Sequence, residues 1–113
     1  MYVVIFTTFS NYRAPELLRG EPPSTRADIY SFGITLWHML TGQVPYDGEN
    51  QHVVIFAVVA YHMRPEMPVL REPKDPTEEL YQDLCKECWH QDILQRPKSG
   101  DLVDVLDIWT THL

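Results

Sequence analysis

The residues from Ile29 to Leu40 constrain the fold more than any other part of the chain. Their apolar side chains cover every face of a helical wheel, at positions 29, 30, 32, 34, 36, 37, 39 and 40. A helix that is apolar on all sides belongs in the centre of a larger structure, because none of its faces is suited to water. We therefore expect Phe32, Leu36 and Met39 to face water, each other or a partner wherever the chain supplies no neighbour.

Start and stop signals bound this central helix. The stretch Thr25-Arg-Ala-Asp28 has the form of a capping box, with Thr25 as the N-cap and Asp28 at the third helical position. Gly42 and Pro45 follow the apolar run and end the helix. The sequence thus predicts one long helix between Thr25 and Gly42.

A second helix is predicted from Asn50, its cap, to Tyr61 or His62. Its β-branched residues would also allow a strand, but the cap and the polar flanks favour a helix. The segment from Arg64 to Pro76 carries four prolines. It could form a polyproline ligand, but an irregular connection between helices is favoured.

Two further helices complete the predicted architecture. Asp75-Pro-Thr-Glu78 is a capping signature for a third helix, and Ser99 can cap a fourth. Apolar residues recur at helical spacing in both, namely Leu80, Leu84, Cys85 and Cys88, then Leu102, Val105, Leu106 and Trp109. Tyr2 to Phe9 is rich in β-branched and aromatic residues, which predicts an extended start. The predicted fold class is all-α with a short extended N-terminal segment.

Charge and hydropathy exclude several classes of function. The chain has 16 acidic and 9 basic residues, a formal charge of −7, so nucleic acid and anionic membranes are not expected partners. The longest apolar run, Val53 to Tyr61, is far shorter than the roughly 20 residues that span a bilayer. Met1 to Phe6 has neither a basic leader nor a cleavage site. We therefore expect a cytoplasmic protein.

Four motifs occur in an order and at separations that resemble the second half of a protein kinase domain. They are Tyr12-Arg-Ala-Pro-Glu16, Asp28-Ile-Tyr-Ser-Phe-Gly33, Gly42-Gln-Val-Pro-Tyr46, and Cys88-Trp89 with Arg96-Pro97. Within kinases, the chain is most similar to the Mos family of serine/threonine kinases. The stretch from Gln51 to Tyr61, with Arg64-Pro65 after it, discriminates best, because this helix varies widely among kinases. The resemblance divides the chain into an extended segment, residues 1–11, whose origin the sequence leaves open, and a partial kinase domain, residues 12–113. It implies the helical C-terminal lobe of a protein-kinase-like fold, incomplete here.

The resemblance also implies roles for individual residues. Glu16 would pair with Arg96, pinning the end of the activation segment to the last helices, and Asp28 would anchor the catalytic loop of the intact domain. The remaining motif residues are structural, namely Pro15 of the Ala-Pro-Glu motif and the core anchors Trp37 and Trp89. Tyr12 and Arg13 match the loop that positions the substrate peptide. The sequence departs from the family at Thr8 and Phe9, where a Gly-Thr pair is usual, which leaves this last role open.

A Mos-like parent would transfer phosphate from ATP, with magnesium, to serine or threonine of proteins, with a MAP kinase kinase as the family's substrate. The groups that perform this chemistry are absent from the sequence, which has no Gly-x-Gly-x-x-Gly, Val-Ala-Ile-Lys, His-Arg-Asp or Asp-Phe-Gly. We therefore predict no catalytic, cofactor-binding or metal-binding residue in this chain. The alternative is a non-catalytic, kinase-derived helical interaction module, which could self-associate through the exposed apolar helix.

Cys85-x-x-Cys88 is the one spacing in the sequence that suggests a metal site. A zinc site needs four ligands, and no second pair of cysteines or histidines completes it. Both cysteines would share one helix face, and free cysteines are often buried. Packing in the core is the favoured interpretation, and a small metal-binding domain is the remaining alternative.

Overall fold

The computed structural model describes residues 11–70 and 72–111. Within these ranges the elements are α1 (Pro15–Leu18), α2 (Thr25–Thr41), α3 (Gln51–Ala60), α4 (Pro76–Cys88), a 3-10 turn (Ile93–Gln95) and α5 (Ser99–Thr111). No strand occurs in the described part of the chain. The all-α prediction is confirmed, with two short elements, α1 and the 3-10 turn, that the sequence patterns missed. The extended segment predicted at Tyr2 to Phe9 lies outside the described residues.

The caps of the helices are set by short polar side chains. Asn50 accepts hydrogen bonds from the backbone N–H of His52 and of Val53, so its predicted role at the start of α3 is confirmed. Asp75 caps α4 in the same way. The predicted cap of α2 is wrong by one residue, because Ser24 accepts the hydrogen bond from the N–H of Ala27 and Thr25 is the first helical residue. Asp28 therefore lies in the first turn without capping it.

Helix α2 forms the centre of the core, as its all-round apolar pattern predicted. It packs chiefly against α4, and the 3-10 turn also contacts it. The buried apolar residues come mainly from these two helices and the residues beside them, namely Ala14, Ala27, Ile29, Tyr30, Ile34, Leu36, Trp37, Leu84, Cys85, Cys88, Trp89 and Leu102. Helix α1 contacts α3 on another side of the molecule.

The prediction that Phe32, Leu36 and Met39 face water, each other or a partner is wrong for Leu36. That side chain is only 5% exposed, and its carbonyl accepts a 3.0 Å hydrogen bond from the Tyr81 hydroxyl of α4. Phe32 is half-buried against the core. Met39 is 72% exposed. Helix α4 therefore covers more of α2 than the sequence pattern indicated.

Gly33 permits the close contact between α2 and α4. A Cβ placed there would lie 2.6 Å from the Cβ of Cys88 and 3.2 Å from the carbonyl oxygen of Cys85. Glycine inside a helix costs about 1 kcal/mol relative to alanine. Its position here is explained by the approach of the two backbones, which no larger residue allows.

The apolar face predicted for α4 is correct at Leu84, Cys85 and Cys88, which are buried. Leu80 is the exception, since it is 55% exposed at the edge of that face. Gln82 of α4 is also buried, and its side-chain amide donates a 3.1 Å hydrogen bond to the carbonyl of Pro68. A polar residue is tolerated there because this hydrogen bond offsets its desolvation.

Candidate functional site

Glu16 is carried by the short helix α1. Ala14 before it is extended and Pro15 occupies the first helical position, an arrangement that suits proline because it has no N–H to satisfy. The turn places Glu16 in the interior, where it is only 3% exposed. A buried carboxylate requires a partner of opposite charge or several hydrogen bonds.

Arg96 is that partner. It follows the 3-10 turn, which Asp92 caps, and its backbone is extended, as is usual for a residue before proline. Its Nη1 donates to Oε2 of Glu16 at 2.7 Å and its Nη2 donates to Oε1 at 3.0 Å. Two parallel bonds between guanidinium and carboxylate are the strongest geometry for such a pair.

Arg96 also donates to two backbone carbonyls. Its Nε donates to the carbonyl of His90 at 2.9 Å, and its Nη1 also donates to the carbonyl of Arg26 at 3.1 Å. The Arg26 side chain donates back to the carbonyl of Arg96. Reciprocal hydrogen bonds from these two arginines therefore join the first turn of α2 to the segment before α5. Among the described residues, no buried side-chain nitrogen or oxygen lacks a hydrogen-bond partner.

The ring of Tyr30 lies close to two guanidinium groups. The central carbon of Arg96 is 5.1 Å from the ring centroid and that of Arg64 is 4.9 Å away. Both distances fall within the range of cation–π attraction. Burial raises the pKa of Tyr30 to about 12, although the two cations act in the opposite direction. The hydroxyl is therefore protonated at neutral pH.

Arg64 joins the connection after α3 to the end of α4. Its Nε donates to the carbonyl of Trp89 at 2.8 Å and its Nη2 donates to Oε1 of Gln91 at 3.0 Å. Its Nη1 donates to the carbonyl of Met63. Sequence reasoning noted Arg64 only as part of a motif and assigned no role to Tyr30 or Arg26. The contacts of Tyr30 and Arg26 with Arg64 and Arg96 span 34 to 70 positions and leave no local pattern.

The electrostatics of the pair favour the ionised carboxylate. Burial alone would raise the pKa of Glu16, but the hydrogen bonds and positive charge of Arg96 outweigh it. The pKa of Glu16 is held below its ordinary value of 4.5. At neutral pH the interior therefore contains a complete ion pair that fastens α1 to the segment before α5.

Residues 7–106 match the sequence model of a family described as protein tyrosine and serine/threonine kinase. The chain belongs to the protein kinase family. Its relatives include serine/threonine-protein kinase mos of Patiria pectinifera, 48% identical over 96 residues, which are 85% of this chain and 26% of that protein. The proto-oncogene serine/threonine-protein kinases mos of Sus scrofa and Mus musculus are also 48% identical, over 78% and 76% of this chain and 25% of each relative. The chain thus spans about a quarter of the length of these relatives.

Within this kinase fold, Tyr12 lies against α2. Its carbonyl accepts a 2.7 Å hydrogen bond from the Ser31 hydroxyl, and its own hydroxyl shares a 2.9 Å hydrogen bond with Nδ1 of His38. The two rings are stacked. Arg13 beside it is half-buried. The segment that the resemblance assigns to substrate positioning is therefore fixed to the central helix at Tyr12, while its role in substrate binding stays a prediction.

The other kinase motif residues are distributed as follows. Trp37 is buried, and its indole N–H donates to the carbonyl of Glu66 at 2.9 Å. Trp89 is buried in the same core cluster. Asp28 is exposed on the first turn of α2. Cys85 and Cys88 are free thiols in the core, and burial raises the pKa of each to about 12.

The described residues contain no group of three or more histidine, cysteine, aspartate or glutamate side chains that could hold a metal ion. A cleft beside the end of α2 is lined by Asp47, Glu49 and Glu66 and by one cation, Arg64. No helix in the described part of the chain is long and apolar enough to cross a membrane.

Proposed function

We propose that this chain is the C-terminal, non-catalytic portion of a Mos-like serine/threonine kinase domain. In this proposal it anchors the end of the activation segment but does not transfer phosphate by itself. The observation that carries the proposal is the buried Glu16–Arg96 pair, which joins two kinase motifs 80 positions apart by two hydrogen bonds. The match of residues 7–106 to the kinase family supports it.

The proposed activity of the parent belongs to the whole kinase domain. There, groups outside this chain would bind ATP and magnesium and transfer phosphate to serine or threonine of a protein, with a MAP kinase kinase as substrate, in the cytoplasm. This chain would contribute the Tyr12–Glu16 segment and the helical frame that holds it. The absence of the four nucleotide and catalytic motifs from the printed sequence supports the inactivity of the chain alone.

A chimera tests the proposal. Residues 12–113 replace the matching segment of the Patiria pectinifera kinase, and incorporation of labelled phosphate into a MAP kinase kinase is measured. We expect activity in the chimera and a large loss in its Glu16→Ala variant. The 113-residue chain alone should show no transfer and no calorimetric binding of ATP with magnesium. An inactive but folded chimera, or saturable nucleotide binding by the short chain, would refute it.

A second candidate is a kinase-derived interaction module. It is favoured by the exposure of Phe56 and Tyr61, which are 60% and 75% exposed and contact each other edge to face at 5.6 Å. We name these two residues the α3 patch. Co-purification of the short chain with one defined partner, lost on changing the α3 patch to serine, would favour this function over that of a fragment.

A further inference from the structure

A cleft of about 930 Å³ lies beside the end of α2. Its walls are the end of α2, residues 42–49, the first turn of α3 and the connection at 63–69. The volume is near the upper end of the roughly 300–1,000 Å³ that is usual for ligand sites. It is large enough for several side chains of a peptide.

Hydrogen bonds fix the walls of this cleft. The indole N–H of Trp37 donates a hydrogen bond to the carbonyl of Glu66, and the Tyr46 hydroxyl donates to the carbonyl of Met63 at 3.4 Å. The side-chain amide of Gln82, in α4, donates a hydrogen bond to the carbonyl of Pro68. Tyr46 has a φ of 56°, a left-handed conformation that costs energy in a residue with a side chain. A wall held in a strained conformation by long-range contacts is already formed before any ligand arrives.

The lining combines apolar surface with negative charge. Val44, Val53 and Met67 supply apolar surface, and Asp47, Glu49 and Glu66 supply three exposed carboxylates. Among the described residues, Arg64 is the one cation of the lining, and its three bonds to Trp89, Met63 and Gln91 direct it elsewhere. Three carboxylates against one guanidinium therefore give the cleft a net negative charge beside its apolar floor.

From this lining we infer that the cleft binds an extended segment of a partner protein in which arginine or lysine alternates with large apolar side chains. Alternation matters because successive side chains of an extended segment point in opposite directions, one set to the floor and one to the rim. The apolar side chains would contact the floor, and the cations would meet the three carboxylates. A second copy of this chain fits poorly, since it has 16 acidic residues against 9 basic ones.

The probe is a fluorescein-labelled peptide of about ten residues in which leucine and arginine alternate, enough at roughly 3.3 Å per residue to cross the cleft. It is titrated with the full 113-residue chain and followed by polarisation. Two matched peptides replace arginine by glutamate or leucine by serine. We expect both to bind at least about tenfold more weakly than the probe, on the order of the effect of losing charge or apolar contact. Equal binding of the serine peptide would overturn the inference, because charge alone would then explain the affinity.

Variants locate the binding on the protein. Asp47→Asn with Glu49→Gln should weaken binding by roughly fivefold, as expected for two solvent-exposed charge contacts. The matched control, Glu79→Gln with Asp104→Asn, removes two exposed carboxylates outside the cleft and should change little. Val53→Arg, at the cleft wall, should abolish binding. Circular dichroism checks that each variant is folded. Equal loss in the control pair would overturn the assignment, as would a dimer that Val53→Arg dissociates in ultracentrifugation.

The inference is independent of the proposed kinase function. Every lining residue belongs to this chain, so the peptide titration needs neither nucleotide nor the rest of a kinase domain. Failure of the chimera with intact peptide binding would remove the kinase proposal alone. Loss of peptide binding with an active chimera would remove the cleft proposal alone.

Discussion

The carboxylate of Glu16 and the guanidinium of Arg96 are joined by hydrogen bonds of 2.7 and 3.0 Å, with 4% and 0% of their side chains exposed. Both charges are removed from water, so each depends on the other for its stability in the interior. A pair of this kind adds little net stability relative to apolar residues, but removal of one member leaves a desolvated charge behind. The pair therefore makes correct docking of α1 a condition of folding.

A double-mutant cycle measures this dependence. Glu16→Ala and Arg96→Ala should each lower the free energy of unfolding by roughly 3–5 kcal/mol, because each leaves one buried charge unpaired. The double variant should cost less than the sum of the two. Urea denaturation followed by circular dichroism gives the three values. Additive losses would show that the two side chains do not interact in solution.

The same pair predicts a pH dependence. The pKa of Glu16 is lowered in the folded protein, so its contribution to stability is fully present above the ordinary value of 4.5 and is lost as pH falls through the lower, folded-state pKa. We expect the urea midpoint to fall over this acidic range. Glu16→Gln should flatten that part of the profile, whereas Glu79→Gln, on the surface, should leave it unchanged. A profile that is identical in wild type and Glu16→Gln would contradict the assignment.

The contact at Gly33 predicts an unusual response to alanine. In an open helix Gly→Ala stabilises by about 1 kcal/mol. At Gly33 the new methyl group would meet the Cβ of Cys88 at 2.6 Å, and overpacking of this kind costs about 1–3 kcal/mol. Gly33→Ala should therefore destabilise the protein.

Gly100 provides the matched control for that substitution. It lies in α5, and no other part of the described structure comes within 4 Å of the position that a Cβ would take there. Gly100→Ala should be neutral or stabilising in the same urea denaturation. A gain in stability from both substitutions would mean that α2 and α4 are further apart in solution than in this structure.

The two cysteines should be unreactive in the folded chain. Burial raises the pKa of Cys85 and of Cys88 to about 12, and the thiolate is the reactive form. Ellman's reagent should therefore label neither thiol at mildly alkaline pH until urea is added, when both should react. Metal analysis with and without a chelator tests the alternative of a zinc site. Rapid labelling of the native protein, or stoichiometric zinc, would contradict core packing.

Local features of this fold could be predicted from the sequence. Asn50 and Asp75 cap their helices through atoms two or three residues away, so their roles are visible in the printed order of residues. The burial of Leu36 could not be predicted in this way. It depends on α4, which begins 40 positions later, and no local pattern indicates which face of α2 that helix covers.

Long-range features of the candidate site were either predicted from the resemblance to protein kinases or not predicted at all. The meeting of Glu16 and Arg96 was expected only because both lie in kinase motifs. Nothing in the sequence indicated that the ring of Tyr30 lies close to both Arg64 and Arg96, because a planar side chain and two cations separated by dozens of residues form no periodic signal. The cleft beside α2 was missed for the same reason, since three separate segments of the chain build it, residues 37–49, 53–54 and 63–69.

Exposed apolar side chains predict association of the chain. Met39 on α2 is 72% exposed, and the α3 patch is exposed to a similar degree. Fully burying one such side chain is worth roughly 1.5–3 kcal/mol, which favours contact between copies and binding of hydrophobic dyes. We expect concentration-dependent association in ultracentrifugation and enhanced fluorescence of anilinonaphthalene sulfonate.

Met39→Gln combined with Phe56→Gln should reduce both signals. Leu94→Gln, at a residue of the 3-10 turn that is 79% exposed, is the matched control and should have a smaller effect. A monomeric, dye-silent wild-type chain would contradict this prediction, and it would mean that these side chains tolerate water without a partner.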